Sequence, residues 1–270
     1  MNWFVRRRER GLRRLLRRDM PSDECFSRLP RRVWMYWQQG EAAAPDLVRE
    51  CIASWRSQNP GWEIVVLDGD SAEALVDMSD LPADMLIRRR SNLLRMRLLL
   101  TRGGVWADAT TFCARPLDDW LPLMMPAGMF VFSNPHPDRI ISTWFLASLP
   151  GHEALRRLEA GYRAHVLADI RKPPYFAYHY VFEYLMFSAS FRRLLQHMPR
   201  IGAVPLHRAQ RYLVARAEGD EPARPDLTGV PLHKLTWKKR IEMPDLQTLL
   251  AQGTRDGSGP DSGAPPALSA

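Results

Sequence analysis

Asp108 is the residue through which this chain can most directly do chemistry. It follows Val105-Trp106-Ala107, a short apolar run that reads as a buried strand. Its carboxylate therefore emerges at a strand's C-terminal end, the edge along which ligands bind in open α/β sheets. The stretch before it, Ser91 to Arg102, reads as a helix, with Leu93, Leu94, Leu98 and Leu100 at roughly helical spacing. Arg88, Arg95 and Arg102 fall seven apart and lie near one line along it. Gly103-Gly104 can take the left-handed conformation that ends a helix. An acid and an arginine so delivered to one edge are groups that bind hydroxyls and neutralise phosphate. By themselves, the same residues read more simply as a strand-end acid bonding loop amides and a solvated helix face.

The ordered set Ser91-Asn92, Leu94-Arg95, Gly103-Gly104-Val105-Trp106 and Asp108-Ala109-Thr110 resembles the core of the capsular polysaccharide synthesis proteins. These are relatives of the glycosyltransferases that carry a DxD motif on a GT-A fold. The resemblance covers about Pro30 to Leu121, and more loosely Pro173 to Lys239. It implies sugar transfer from a nucleotide-sugar donor to a glycan or lipid-linked acceptor in surface polysaccharide synthesis, of the hexosyltransferase type and with anomeric retention. The chain shows no convincing nucleophile for a double displacement, and a front-face mechanism needs none.

The resemblance also assigns roles. Asp108 stands at the first Asp of DxD, which contacts the sugar or ribose, and decides the motif in favour of a site. The second position, which holds a divalent cation (Mn²⁺ or Mg²⁺), is Thr110, whose hydroxyl is a weaker ligand than a carboxylate. The metal requirement is accordingly open, although Asp-Ala-Thr is the form associated with the capsular branch. Arg95 matches the arginine near the donor. Asn92 occupies the place of an acid that binds the donor sugar, and its amide can still bond hydroxyls. Trp34, Tyr36 and Trp37 come off the first strand, where one aromatic can stack on the base while the others pack in the core. Gln38 and Gly40 bring an amide and close backbone to the nucleotide. His233 and Lys234 are placed like a late basic segment that approaches the diphosphate, with His233 completing a metal shell and Lys234 neutralising phosphate. A surface His-Lys pair is the plain alternative. Asp68-Gly69-Asp70 is a literal DxD after a strand, but Asp-Gly is also a turn signal, and the family order favours Asp108. His179 reads as a partly buried histidine in an aromatic helix, and Asp118-Asp119 as a surface loop.

These residues need a platform. Arg32 to Trp37 reads as the first strand. Pro45 opens a helix with Val48, Cys51, Ile52 and Trp55 on one face, and Asn59-Pro60-Gly61 stops it. Trp62 to Leu67 is a second strand, and Ser71 a cap for a short helix through Val76. With the Ser91 helix and the Val105 strand, the order β-α-β-α-α-β predicts a parallel, Rossmann-like sheet. The expected class is α/β, a GT-A-like nucleotide-sugar fold with an added helical region. That region comprises a strand from Met129 to Ser133, helices over Glu153–Ile170 and Tyr175–Phe191, and a late segment Leu232–Trp237.

Charge placement says more than its total. Residues 1–18 hold eight arginines and one acid, which accounts for all but one unit of the formal +8. Val5, Leu12, Leu15 and Leu16 share a face there, a pattern suited to an anionic membrane surface. A solvated arm or a non-specific nucleic-acid contact are the alternatives, and the nearly neutral body argues against specific nucleic-acid binding. Three cysteines without a CxxC spacing support neither a disulfide framework nor a zinc site and fit a reducing cytoplasm. The expected location is cytoplasmic, peripheral on the inner face of the membrane. The expected organisation is an arm over residues 1–27, one domain over 28–251, and a disordered tail over 252–270. Two other functions compete: a sugar-nucleotide platform that has lost catalysis, suggested by Thr110 and Asn92, and an interaction protein acting through its arm.

Overall fold

The structure is a computed structural model that describes residues 22–168 and 174–253. The basic arm of residues 1–18 and the tail beyond residue 253 lie outside them. A short helix α1 (Ser22–Ser27) precedes β1 (Arg32–Tyr36), α2 (Asp46–Gln58), β2 (Glu63–Leu67), α3 (Gly69–Leu75), α4 (Ile87–Arg102) and β3 (Gly104–Ala107). Then come β4 (Thr111–Cys113), β5 (Met129–His136), β6 (Arg139–Ser148), α5 (Glu153–Leu167), α6 (Ala177–Met186) and α7 (Ala189–Leu194). The chain closes with α8 (Arg208–Ala217), β7 (Leu232–Lys234) and α9 (Met243–Gly253).

The main sheet has the order β2-β1-β3-β6-β5, and β4 pairs with β7 in a separate ribbon. β1 runs parallel to both β2 and β3, which is the expected Rossmann-like half. β3–β6 and β6–β5 are antiparallel. β4 is absent from the sequence reading, and so is β6. Its first half mixes Ser142 and Thr143 into an apolar run, which hides its period. In the fold Ser142 is buried because its hydroxyl donates to the Phe132 carbonyl at 2.9 Å.

Two apolar layers flank the sheet, and strand alternation sorts residues between them. Trp34 and Trp106 face the layer built with α4, α5 and α6. Val33, Met35, Val105 and Ala107 face the opposite layer, with Trp55 of α2 and the cluster Trp120, Phe130, Phe132 and Phe145. A third cluster ties α2 to α8, α9 and the segment after β7 through Cys51, Leu213, Leu235 and Leu246. It fixes the late ribbon against the first half of the chain.

The diglycine is a steric necessity. Gly103 and Gly104 have φ of +65° and +97°, and a Cβ on Gly104 would stand 2.6 Å from the Arg32 carbonyl oxygen. That close approach seats β3 beside β1 and so sets where Asp108 emerges. Two local expectations shift. The cap of α3 is Asp68: its Oδ1 accepts from the Ser71 amide at 2.8 Å, and Ser71 reciprocates from the third helical position. The expected helix from Tyr175 to Phe191 is two, with Ser188 capping α7.

Candidate active site

The same alternation that sends Trp106 toward α4 sends Asp108 there too, two residues on. Trp106 Nε1 donates to Asp108 Oδ1 at 3.0 Å, and Arg95 Nη2 lies 3.3 Å from the same oxygen. The Arg95 guanidinium sits over the Trp106 ring, 5.0 Å from its centroid. It also donates to the Ser91 carbonyl at 3.4 Å and to the Thr143 carbonyl of β6. Its side chain is only 7% exposed, which rules out a solvated helix face. The backbone of Asp108 is equally fixed: its amide donates to Trp144 at 2.8 Å, and its carbonyl accepts from Thr111 at 2.8 Å.

β4 and β7 pair antiparallel, with Thr111 opposite Lys234 and Phe112 opposite His233. Neighbours on a strand point to opposite faces, so only one of His233 and Lys234 can reach the acid. It is Lys234. Its Nζ donates to Thr110 Oγ1 and stands 3.6 Å from Asp108 Oδ2. Burial pushes the ammonium below the usual lysine range, outweighing the attraction of Asp108. His233 points away, is 2% exposed, and packs against Phe112 with ring centroids 6.5 Å apart. Burial pushes its imidazole down to about 4.

These groups open onto a cavity of about 470 Å³. Arg88, Asn92 and Arg95 of α4, Trp37 after β1, Asp108 and Thr110 after β3, Arg139 and Thr143 of β6, Tyr178 and His179 of α6, and Lys234 line it, with Tyr175 and Phe176 just before α6. Among the described residues, four cationic side chains and one carboxylate thus line it. Arg88 lies over Tyr175 at 4.7 Å and Arg139 over Phe176 at 4.2 Å, and Arg139 also bonds Asp138 at 2.9 Å. His179 adds no charge, because burial pushes its imidazole down to about 4. Asn92 Nδ2 donates to Tyr162 Oη at 3.0 Å. A second cavity of about 650 Å³ adjoins the first, sharing Tyr36 and Ser91, with Gln38, Gly69, Glu73 and Arg90 on its walls. The arrangement can bind an elongated polyanion with hydroxylated ends.

The structure therefore brings Asp108, Arg95, Asn92, Thr110, Lys234 and Trp37 together, with Gln38 next door. Trp34 is not there: it is 2% exposed in the core, its Nε1 donating to the Gly103 carbonyl at 2.9 Å. Trp34 sits in the middle of β1, whereas Trp37 follows the strand's end at Tyr36, where the chain reaches the cavity. Gly40 serves a turn, its amide bonding the Trp37 carbonyl at 2.9 Å, and lines neither cavity. Asp68 is consumed as a helix cap and Asp70 is exposed. Asp118 pairs with Arg31 at 2.8 Å and accepts from Trp62 Nε1 at 3.1 Å. Sequence reasoning missed Arg139 and Thr143, because they lie on the unassigned β6. Arg88 was visible, seven residues before Arg95.

A divalent cation here was expected to take Asp108, Thr110 and His233. These residues do not form such a shell. His233 faces the other side of the ribbon, and the Thr110 hydroxyl is held by an ammonium whose charge would repel a cation beside it. Among the described residues no group of three or more His, Cys, Asp or Glu side chains converges anywhere.

The family described as capsular polysaccharide synthesis protein matches residues 15–252. The chain is 27% identical over 176 residues to the putative glycosyltransferase HOC1 of Saccharomyces cerevisiae, covering 56% of this chain and 43% of that protein. It is 25% identical over 181 residues to the initiation-specific alpha-1,6-mannosyltransferase of Candida albicans, covering 56% and 47%. The chain thus spans less than half the length of these two relatives. Among solved structures, PaToxG glycosyltransferase overlaps 84% of this chain and 87% of its own, at a TM-score of 0.40 and 11% identity.

Proposed function

We propose that this chain, which belongs to the capsular polysaccharide synthesis protein family, is a glycosyltransferase that moves a sugar from a nucleotide-sugar donor to a hydroxyl of a glycan or lipid-linked acceptor. The observation that carries this reading is the cavity at the end of β3, where, among the described residues, Arg88, Arg95, Arg139 and Lys234 share the lining with one carboxylate, Asp108. A diphosphate needs such an excess of positive charge, and a sugar ring needs a fixed acceptor such as Asp108 for its hydroxyls. The similarity to a putative glycosyltransferase and to an alpha-1,6-mannosyltransferase supports it.

In the reaction the bond between the anomeric carbon and the β-phosphate oxygen breaks, and its electron pair stays on that oxygen. The acceptor hydroxyl oxygen bonds the anomeric carbon, and its proton passes to the departing diphosphate. Arg95 and Lys234 stabilise the charge that develops there. Among the described residues Asp108 is the one carboxylate lining the cavity, and Trp106 and Arg95 hold its Oδ1. With that oxygen engaged by Trp106 and Arg95, our reading is transfer with retention on one face, through positioning rather than a protein nucleophile. The adjoining cavity beside Gln38 and Tyr36 is our site for the nucleoside.

Turnover of a nucleotide-sugar panel, read as donor hydrolysis or transfer to a simple glycan, tests this. Folded protein that consumes no donor, with or without Mn²⁺, overturns it. Residues 1–18 lie outside the described residues. We assign them to an anionic membrane surface at the cytoplasmic face, where a lipid-linked acceptor is held. Their deletion is expected to abolish pelleting with anionic vesicles while sparing soluble-substrate turnover, and unchanged pelleting overturns the assignment.

A further inference from the structure

We infer that Lys234, held by Thr110 and facing Asp108, supplies the charge that a divalent cation supplies in DxD enzymes, so that this chain binds the diphosphate of its donor without a metal. The inference rests on the transferase reading for the identity of the ligand.

Three observations carry it. The second position of the motif is Thr110, and its hydroxyl accepts from Lys234 Nζ. Lys234 is thus fixed at the spot where the motif's second side chain points. Asp108 completes the arrangement with its two oxygens divided: Oδ1 takes Trp106 Nε1 and Arg95, and Oδ2 faces Lys234 at 3.6 Å. An ammonium has three donor hydrogens. One goes to Thr110, and an anion entering the cavity can take another. Finally, Asp108 alone does not compensate the buried ammonium, whose pKa stays depressed despite the nearby carboxylate. A phosphate oxygen arriving beside Lys234 relieves that deficit. The free site is therefore charged in advance for an anion, while a bare divalent cation would meet Arg95 and Lys234 before it met a second carboxylate.

The test uses the full chain and three probes, UDP, GDP and inorganic pyrophosphate, titrated calorimetrically in EDTA and in Mn²⁺. We expect at least one probe to bind with an affinity that EDTA leaves unchanged. Lys234→Met is expected to bind it roughly 10- to 100-fold more weakly in either condition, and Lys234→Arg to recover part of the loss. The pair Thr110→Asp with Lys234→Ala restores a carboxylate and removes the resident cation, and is expected to make binding depend on Mn²⁺. Circular dichroism and melting checks confirm that each variant is folded. Wild-type binding that collapses in EDTA and returns with Mn²⁺ overturns the inference. So does a folded Lys234→Met that binds like wild type, and so does the absence of binding by every probe in both conditions. The two readings separate cleanly. Metal-independent binding without donor turnover keeps the lysine's role and removes the transferase, whereas turnover that requires Mn²⁺ does the reverse.

Discussion

Arg95 Nη2 stands 3.3 Å from Asp108 Oδ1, with the Trp106 ring beneath the guanidinium and its Nε1 on the same carboxylate oxygen. Two residues, one from a helix and one from the strand after it, thereby lock one acid into one orientation. Both Arg95 and Trp106 are buried, while the Asp108 side chain keeps 30% exposure, toward the cavity. The acid is fixed on its protein side and open on its ligand side, which is how a group that must meet a substrate is held.

The first prediction tests that acid. Asp108→Asn preserves its shape but removes the charge that faces Arg95 and Lys234. Donor turnover is expected to fall by on the order of 100-fold or more. Steady-state rates with the best donor of the panel measure it. A folded Asp108→Asn enzyme with wild-type turnover means the acid is only a strand-end cap.

A second concerns the diglycine. Gly104→Ala places a Cβ 2.6 Å from the Arg32 carbonyl at a φ of +97°. No side-chain adjustment relieves a clash with backbone, so β3 must move. The expected loss is at least ~2 kcal/mol of stability, measured by urea unfolding, together with lost donor turnover.

The third concerns the scaffold behind the site. Arg97 of α4 bonds Asp80 at 2.6 and 2.7 Å and Glu159 of α5 at 2.9 Å, with the Arg97 and Glu159 side chains 15% and 13% exposed. Arg97→Met leaves Glu159 without this partner and is expected to cost about 3 kcal/mol. Denaturant midpoints check this. A shift no larger than that of an exposed-pair control such as Arg240→Met means the network is solvated.

The fourth concerns pH. Burial lowers His179, His207 and His233 from 6.5 to about 4 each. Between those values the unfolded chain binds more protons than the folded one. Stability is therefore complete above pH 6.5 and falls as pH drops toward 4, by about 1.4 kcal/mol per pH unit for each histidine. Unfolding free energies at pH 7 and pH 5 measure the slope, and His233→Phe is expected to flatten it. A slope that is the same in His233→Phe as in wild type rejects the assignment for that residue.

What could be read from the sequence divides along physical lines. α4, Gly103-Gly104, β3 and Asp108 form one local stretch with its own period and punctuation, and they fold as read. Parity was harder. In Val33-Trp34-Met35-Tyr36-Trp37 both parities are large and apolar, so the sequence does not show that the strand ends at Tyr36, leaving Trp34 inside and Trp37 at the cavity. His233 and Lys234 pose the same problem on a three-residue strand too short to show an alternation. β6 was illegible because a central strand buried on both faces has no alternation to show, and with it went Arg139 and Thr143.

Lys234 and Thr110 share a hydrogen bond across 124 positions of chain. A ribosome must therefore finish nearly the whole body before the cation and the acid can meet. A truncated product ending before β7 would own the platform and its arginines and lack Lys234. Resistance to proteolysis conferred by a bound anion is therefore expected in the finished chain and weaker in one that stops before β7.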